Sequence, residues 1–543
     1  MVEYLRTAFH DALQKLGIEF PKEEIHFEIP KQAQHGDFAT NVALQLARLE
    51  KSNPREIAVR LIGALDLDPA RVSSVEPAGP GFINIRMNPD FVVSRVAEIL
   101  DAGEAFGKVD TGSGRSANVE WVSANPTGPL HAGHGRQVCL GAAICNLLEW
   151  ADWNVTREYY FNNAGVQMQN LGRSVQIRYL QALGEDVEME EGLYNGEYIK
   201  EIAAEIKEEF GDSKREEGID FFRKRGEEWC FARIKETLER LEVHHDIFFN
   251  EDTLYRDGKI DEVLSLLGEK GLVYEQEGAV WFRSTKFGAE KDRVFVKSSG
   301  EPTYRLPDIA YHREKILRGY DMVVDIFGAD HIATIPDVLA AVRAMDLPTD
   351  HVRVVIHQMV SFVEGGESVK MSKRSAKVYS LDDLIDDVGA DVVKYFFVMR
   401  AANTHLDFDL ELAREQSEKN PVYYLQYAHA RIASLIRFAK SEGVDIEAEP
   451  DLALLKHESE VSLSRKLLDF PGVVEDCADS LEPHRVCNYL QDVATAFHKF
   501  YQECRIVTED HSLTTARIAL CRATRYTIAN GLSILGITAP ESM

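Results

Sequence analysis

The first part of the chain mixes two kinds of hydrophobic spacing. Apolar residues recur at helical intervals over residues 2–16, and they alternate with polar residues over 25–29 and 82–87, as in half-buried strands. Residues 36–40 are predicted to form a turn that leads into a helix. Together these patterns predict an α+β domain over residues 1–110.

Short apolar strands alternate with amphipathic helices through the middle of the chain, which is typical of a doubly wound parallel sheet. The predicted strands are 116–122, 155–161, 322–327 and 352–356. The sheet is predicted in two parts, residues 115–184 and 301–408. The segment between them, 185–300, has charged amphipathic helices and is predicted to be an insertion.

Helical periodicity continues almost throughout residues 409–543, where an all-α bundle is the natural packing. The predicted fold class is therefore α/β multidomain. A split, doubly wound (Rossmann-like) parallel-sheet domain carries an α+β domain before it and an all-α bundle after it.

The charge and cysteine content narrow the class of protein. The chain has 543 residues and a formal net charge of −28, which favours solubility and gives no hint of a nucleic-acid partner, so any RNA-binding surface must be local. Its seven cysteines form no C-x-x-C pair, which predicts reduced thiols and no structural zinc. Without a long apolar run or a signal-like N-terminus, the expectation is a cytoplasmic protein with no membrane association and no protein-held metal.

A run rich in glycine and proline follows the first predicted strand of the sheet. From Ser123 to Arg136 it has the sequence SANPTGPLHAGHGR and leads into an apolar helix. Such a strand–turn–helix aims backbone N–H groups at a phosphate, and His131 and His134 fall on one face of the first helical turn. The alternative for H-x-G-H by itself is a capped turn with incidental histidines.

This run resembles the HIGH signature of class I aminoacyl-tRNA synthetases, and its longer flank resembles the arginyl-tRNA synthetases. The string KMSKR at 370–374 resembles the second signature of the class; K-x-S-K alone is weak, but its place after the last predicted strand strengthens it. The resemblance implies that His131, His134, Lys370 and Lys373 are catalytic. The ATP site that it implies comprises Pro126, Gly128, His131, Gly133, His134, Gly328, Asp330, His331, Met359, Val360, Lys370, Ser372 and Lys373.

The pair Tyr304 and Asp308 bears on the amino-acid substrate. A carboxylate can accept two parallel N–H bonds from a guanidinium, and a tyrosine can add a hydrogen bond or a ring face. The resemblance implies that these two residues bind the arginine side chain and that Ser123 and Asn125 lie near its amino and carboxylate groups. It also implies that His134 belongs to the arginine site. The local sequence alone favours the alternative, in which Asp308 is a charge in the first turn of a helix.

The resemblance covers essentially the whole chain. Residues 35–41 resemble a domain that contacts the tRNA elbow, 185–300 resembles a connective polypeptide, and the C-terminal helices resemble an anticodon-binding bundle. The run NNAGVQ at 162–167 resembles the family's N-D-A-G-x-Q segment, with Asn163 where aspartate is usual.

The implied activity is ATP-dependent formation of arginyl-adenylate and transfer of arginine to the 2′-hydroxyl of the terminal adenosine of tRNA(Arg). ATP with Mg²⁺, L-arginine and tRNA(Arg) are the implied partners, and the chain is expected to be a monomer. Two alternatives stay open at this point: another adenylyl-transferring enzyme with an H-x-G-H fold, and a non-catalytic tRNA-binding protein derived from a synthetase.

Overall fold

A computed structural model describes residues 1–28, 30, 35–369 and 379–543. The chain forms two compact units. The first comprises residues 1–106, 431–469 and 493–527, and the second comprises 107–430, 470–492 and 528–543. Residues from the predicted C-terminal bundle contribute to both units.

The first unit contains a small antiparallel sheet with strand order β1-β3-β2 and five helices before residue 103. The strands are β1 Phe38–Thr40, β2 Val72–Ala78 and β3 Phe82–Met87, and the helices are α1 Val2–Lys15, α2 Val42–Glu50, α3 Pro54–Ala64, α4 Pro89–Ser94 and α5 Val96–Ala102. The apolar stripe of α1 supplies buried residues of the core, including Leu5 and Phe9.

Two local predictions in this unit are wrong. Residues 36–40 do not form a simple turn, because Asp37 N–H donates to Ile85 O at 2.7 Å and draws Phe38–Thr40 into the sheet as β1. The segment 25–28 is not a strand, and Glu28 makes only a single antiparallel bridge to Ala39. Residue 29, the end of that predicted strand, lies outside the described residues.

The second unit contains the predicted parallel sheet. Five strands, β4 Ser116–Glu120, β5 Asn154–Phe161, β6 Ile247–Asn250, β10 Met322–Gly328 and β11 Val352–His357, pair in the order β11-β10-β4-β5-β6, all in parallel. The split doubly wound sheet is therefore confirmed. Its fifth strand, β6, comes from the segment predicted to be an insertion.

Helices and two smaller sheets complete the second unit. The helices that begin within residues 135–414 are α6 Gly135–Trp150, α7 Gly165–Ala182, α8 Glu197–Phe210, α9 Ile219–Arg240, α10 Asp252–Arg256, α11 Lys259–Glu269, α12 Arg305–Leu317, α13 Ile335–Ala344, α14 Leu381–Val388, α15 Ala390–Val398 and α16 Leu410–Arg414. The smaller sheets use β7 Val273–Gln276, β8 Ala279–Phe282 and β9 Arg293–Val296, and β12 Val360–Glu364, β13 Glu367–Ser368 and β14 Leu406–Asp409.

The last part of the chain is helical, as predicted. Its helices are α17 Pro421–Ser441, α18 Glu458–Leu468, α19 Phe470–Ser480, α20 His484–Glu503 and α21 His511–Ile534. Among the described residues, no helix is both long enough and apolar enough to cross a membrane.

Candidate active site

The chain leaves β4 through a strained turn. Val122 and Ser123 have φ angles of 69° and 43°, a region that is unfavourable for a β-branched residue such as valine. The predicted strand 116–122 therefore ends early, at Glu120. The Ser123 hydroxyl donates to Glu120 Oε1 at 2.8 Å and accepts from Tyr160 N–H at 3.2 Å, so the surrounding structure holds the strained turn.

The same turn is joined to the end of β5. Asn125 donates through Nδ2 to Gln167 Oε1 at 3.0 Å and accepts the Asn162 N–H at 3.0 Å. The Tyr159 hydroxyl donates to the Ala124 carbonyl at 2.7 Å. These bonds place the predicted substrate residues Ser123 and Asn125 at the carboxyl edge of the sheet, where open parallel sheets bind ligands.

The two predicted catalytic histidines stack on one another. Their ring centroids lie 3.6 Å apart, and the His131 N–H donates to His134 Nδ1 at 3.2 Å. Because Nδ1 accepts, the proton of a neutral His134 ring is on Nε2. Burial, with smaller contributions from His131 and His357, lowers the pKa of His134 to about 3. His134 is therefore a neutral hydrogen-bond donor near pH 7.

Glycine opens the backbone of this turn at two positions. A Cβ on Gly133 would lie 2.9 Å from His131 Nδ1, so a larger residue would displace the imidazole. At Gly128 a Cβ would lie 3.1 Å from the Tyr198 hydroxyl, which donates to the Thr127 carbonyl at 2.8 Å. Pro126, which follows the strained turn and precedes both glycines, is buried.

The predicted KMSKR string at 370–374, with Lys370, Ser372 and Lys373, lies entirely outside the described residues. The chain that follows it pairs with the histidine turn. Ala132 N–H donates to the Tyr379 carbonyl at 3.1 Å, and Leu381 N–H donates to the Leu130 carbonyl at 2.8 Å.

Three further predicted ATP residues follow β10. Gly328 ends that strand, and Asp330 and His331 lie in the short 3-10 helix after it. The His331 ring stacks on Phe327 with centroids 5.2 Å apart, and the Asp330 side chain is exposed.

The remaining predicted ATP residues, Met359 and Val360, follow β11. Met359 is 76% exposed, as an apolar contact for a ligand would be, and Val360 begins β12. The buried Arg136 guanidinium donates to the carbonyls of Gln358, Ala401 and Thr404 at 2.8–2.9 Å and so fixes the segment before Met359.

A group of neighbouring carboxylates, Asp308, Glu251 and Glu120, adjoins the strained turn and is called the acidic recess below. Asp308, in the first turn of α12, is electrostatically coupled to Glu251 and Glu120, and burial raises the pKa of its carboxyl to about 7. Glu251 accepts from the Tyr160 hydroxyl at 2.5 Å and from Asn162 Nδ2 at 2.7 Å. Within the described part of the chain, no donor is recorded on the Asp308 carboxylate. Tyr304, one helical turn earlier, is 62% exposed.

Three carboxylates, one of them Glu120, stand side by side across the sheet. Asp325 of β10, Glu120 of β4 and Glu158 of β5 are paired in register. Lys315 of α12 is fully buried, donates to Glu120 Oε2 at 2.6 Å and also binds Asp325. Arg318, one turn further along the same helix, donates to Glu158 at 2.6 Å. These ion pairs attach α12 to the sheet.

Sequence reasoning missed Glu120, Glu251, His312, Lys315 and Asp325. One signal was present: Asp325 interrupts an otherwise apolar strand, MVVDIFG, and a charge in a buried strand requires a partner. Glu251 had no such signal, because β6 had not been predicted.

Three family models match the chain. Residues 3–87 match the arginyl tRNA synthetase N terminal domain, residues 95–393 match the tRNA synthetases class I (R) catalytic domain, and residues 425–543 match the DALR anticodon binding domain. Together these matches extend over nearly the whole length.

Curated relatives match at full length. An arginine--tRNA ligase from Salinibacter ruber is 48% identical over 562 residues, covering 100% of both chains. Another from Chlorobaculum tepidum is 49% identical over 542 residues, covering 98% of both. The solved arginyl-tRNA synthetase of Thermus thermophilus, at 20% identity, superposes with a TM-score of 0.78 over 100% of both chains and bears on the fold alone.

Proposed function

Because this chain belongs to the arginyl-tRNA synthetases and catalyses ATP-dependent attachment of arginine to tRNA, we propose how its residues divide the work. The acidic recess binds the arginine side chain, and the histidine turn with the KMSKR loop binds ATP. The observation that carries this assignment is the Asp308 carboxylate, which lacks a recorded donor among the described residues and lies in a recess with Glu251 and Glu120.

The recess suits a guanidinium. Asp308 can accept two parallel N–H bonds, and the incoming positive charge would hold its carboxyl ionised in spite of burial. Tyr304 would cover the guanidinium from the exposed side. Ser123 and Asn125 would place the amino and carboxylate groups toward the histidine turn, since both lie on the chain between Glu120 and that turn.

In the first step, an oxygen of the arginine carboxylate attacks the α-phosphorus of ATP. A new P–O bond forms, and the bond to the β-phosphate breaks with its electron pair leaving on pyrophosphate. His134, a neutral donor through Nε2, would hydrogen-bond the phosphate oxygens beside His131. Lys370 and Lys373, with Ser372 between them, would balance the charge of the departing pyrophosphate.

The adenine and ribose would lie against Gly328, Asp330, His331, Met359 and Val360. In the second step, the 2′-hydroxyl of the terminal adenosine of tRNA(Arg) attacks the arginyl carbonyl. An ester forms, AMP leaves, and the hydroxyl proton is released in the process.

ATP would enter as its Mg²⁺ complex, with the ion carried by the phosphates. Among the described residues, no group of three or more His, Cys, Asp or Glu side chains could hold a metal. We also propose that the enzyme acts as a monomer in the cytoplasm, which sedimentation at assay concentration and cell fractionation test.

The test is attachment of radiolabelled arginine to total tRNA, with the other nineteen amino acids as controls, and arginine-dependent pyrophosphate exchange with tRNA present. Charging confined to arginine is the expected result. Asp308→Asn should lose the exchange reaction while retaining ATP affinity; undiminished exchange in that variant would remove the recess from the mechanism.

A further inference from the structure

We propose that His312 is a positioning residue for arginine binding: as a buried imidazolium, it ties the Asp308 turn of α12 to Asp325 of the sheet, and its deprotonation sets an alkaline limit on arginine recognition. The proposal rests on the proposed function in one respect only, that Asp308 binds the arginine guanidinium. His312 itself touches no substrate.

The charge of His312 follows from its two contacts. Its Nδ1 lies 2.7 Å from the carbonyl oxygen of Asp308, and its Nε2 lies 3.2 Å from Asp325 Oδ2. A carbonyl oxygen can only accept, and Asp325, which also binds Lys315, is an ionised acceptor. Both ring nitrogens must therefore carry a proton, which only the imidazolium form allows.

The groups around His312 support this form. Burial lowers the pKa of the imidazole, and so does Lys315 on the same helix, but Asp325 of β10 and Glu120 of β4 raise it, and the balance is upward. On α12 the ring also faces Asp308 and meets Tyr311 edge-on, with centroids 5.8 Å apart. The side chain of His312 is 7% exposed, so solvent does little to screen these charges.

Three basic residues attach α12 to the sheet, and His312 is the one nearest the arginine site. Lys315 and Arg318 hold the helix further along through Glu120, Asp325 and Glu158. The first turn has weaker support of its own, because its first intrahelical hydrogen bond, from the Asp308 N–H to the Tyr304 carbonyl, is long at 3.5 Å. Without the imidazolium, the Asp308 turn would therefore loosen while the rest of α12 stays in place.

The test compares His312→Gln with His351→Gln, the same change just before β11, at the opposite, amino-terminal end of the sheet. Steady-state exchange is measured for arginine and ATP. We expect His312→Gln to raise the arginine KM roughly tenfold, the scale of one lost charge-assisted hydrogen bond, with the ATP KM and kcat within about twofold of the parent. His351→Gln should leave all three unchanged.

Measuring kcat/KM for arginine from about pH 6.5 to about pH 9.5 distinguishes a charged positioning residue from one with only a structural role. In the parent, kcat/KM for arginine should fall at the alkaline end, and this extra fall should be missing in His312→Gln. Titration of the arginine α-amino group is common to both proteins and cancels in their ratio. A constant ratio across the series, or an arginine KM within twofold of the parent, would overturn the proposal.

Two further measurements cover the remaining outcomes. If His312→Gln does not fold, the ¹⁵N shifts of the parent's His312 ring decide: two protonated nitrogens near pH 8 support the proposal, and a neutral ring overturns it. If Asp308→Asn activates arginine normally, the proposed function fails. If Asp308→Asn is inactive but His312→Gln keeps the parent's arginine KM and pH profile, only the positioning role fails.

Discussion

Two buried environments meet at the carboxyl edge of the sheet, and burial acts on them in opposite chemical senses. In the histidine turn it lowers the pKa of His134 to about 3, which keeps the imidazole neutral. In the acidic recess it raises the pKa of Asp308 to about 7, which leaves that carboxyl near its midpoint at neutral pH. His134 therefore keeps one protonation state near neutral pH, whereas the protonation of Asp308 depends on the charge of the bound ligand.

This difference in protonation matches the charge of the ligand that is proposed for each environment. Under the proposed assignment the recess binds a cation, while Lys315, Arg318 and His312 already form ion pairs with Glu120, Asp325 and Glu158. The Asp308 carboxylate is therefore available to pair with the ligand. The histidine turn is proposed to bind the phosphates and offers His134 as a neutral donor, so other groups would have to balance the phosphate charge, for which Lys370 and Lys373 are the predicted source.

The largest expected effect comes from removing the charge of the Asp308 carboxylate. Asp308→Asn keeps the shape of the side chain but loses the charge and one acceptor. We expect kcat/KM for arginine to fall by roughly 10²- to 10⁴-fold, equivalent to about 3–5 kcal/mol for a desolvated charge pair. Pyrophosphate exchange measures it.

The matched control for Asp308→Asn is the ATP KM, which should stay near the parent value because the histidine turn is untouched. Near-parental charging with arginine would mean that Asp308 is only a charge at the start of a helix. The guanidinium site would then lie elsewhere.

On the nucleotide side, the corresponding change is Lys373→Ala. The charge on the phosphates grows as pyrophosphate departs, so we expect kcat to fall by roughly 10²- to 10³-fold, the scale of one lost transition-state donor. The arginine KM should change far less. Single-turnover measurement of adenylate formation checks the step directly, and an unchanged kcat would eliminate this role.

Acid pH separates the two environments without mutation. Because the pKa of the Asp308 carboxyl is raised to about 7, the group gains a proton as the pH falls through that value and loses its attraction for the guanidinium. We expect kcat/KM for arginine to fall about tenfold per pH unit below that pKa. His134, with its pKa lowered to about 3, stays neutral over this range, so kcat/KM for ATP should stay nearly flat.

A parallel fall in both kcat/KM values would contradict this assignment, since one titrating group would then serve both substrates. The thermal unfolding temperature, measured across the same pH range, is the control for acid unfolding.

The sequence predicted the parts of the site whose signals are local. Four of the five parallel strands follow from short apolar runs, and the histidine turn from its glycine and proline flanks. The strain at Val122 could not be predicted, because valine disfavours a positive φ and the contacts of Ser123 with Glu120 and Tyr160 help to hold it there. The bond from Lys315 of α12 to Glu120 joins residues 195 positions apart in sequence, which no periodicity reveals.

Asn163 illustrates the same limit, since its partner lies on α9, far along the chain. The Asn163 side chain donates through Nδ2 to Glu227 Oε1 at 2.8 Å, and the Asn163 backbone carbonyl accepts from Arg223 at 3.1 Å. An aspartate at 163 would face the Glu227 carboxylate without a proton to share. The amide at this position therefore fits the acidic residue opposite it.

The smallest expected effect tests that pairing, at the edge between the two environments. Asn163→Asp should lower stability by about 1 kcal/mol, since one hydrogen bond is replaced by two like charges that Arg223 only partly offsets. Charging should fall only a few-fold, because the turn of Asn162 and Ala164 keeps its own bonds. Adding Glu227→Gln should restore both stability and charging, because the glutamine side chain introduced at 227 can donate a hydrogen bond to the aspartate at 163. A double-mutant cycle on unfolding temperature and tRNA charging measures the coupling. Additive effects of the two changes would show that the Asn163–Glu227 bond does not hold this turn.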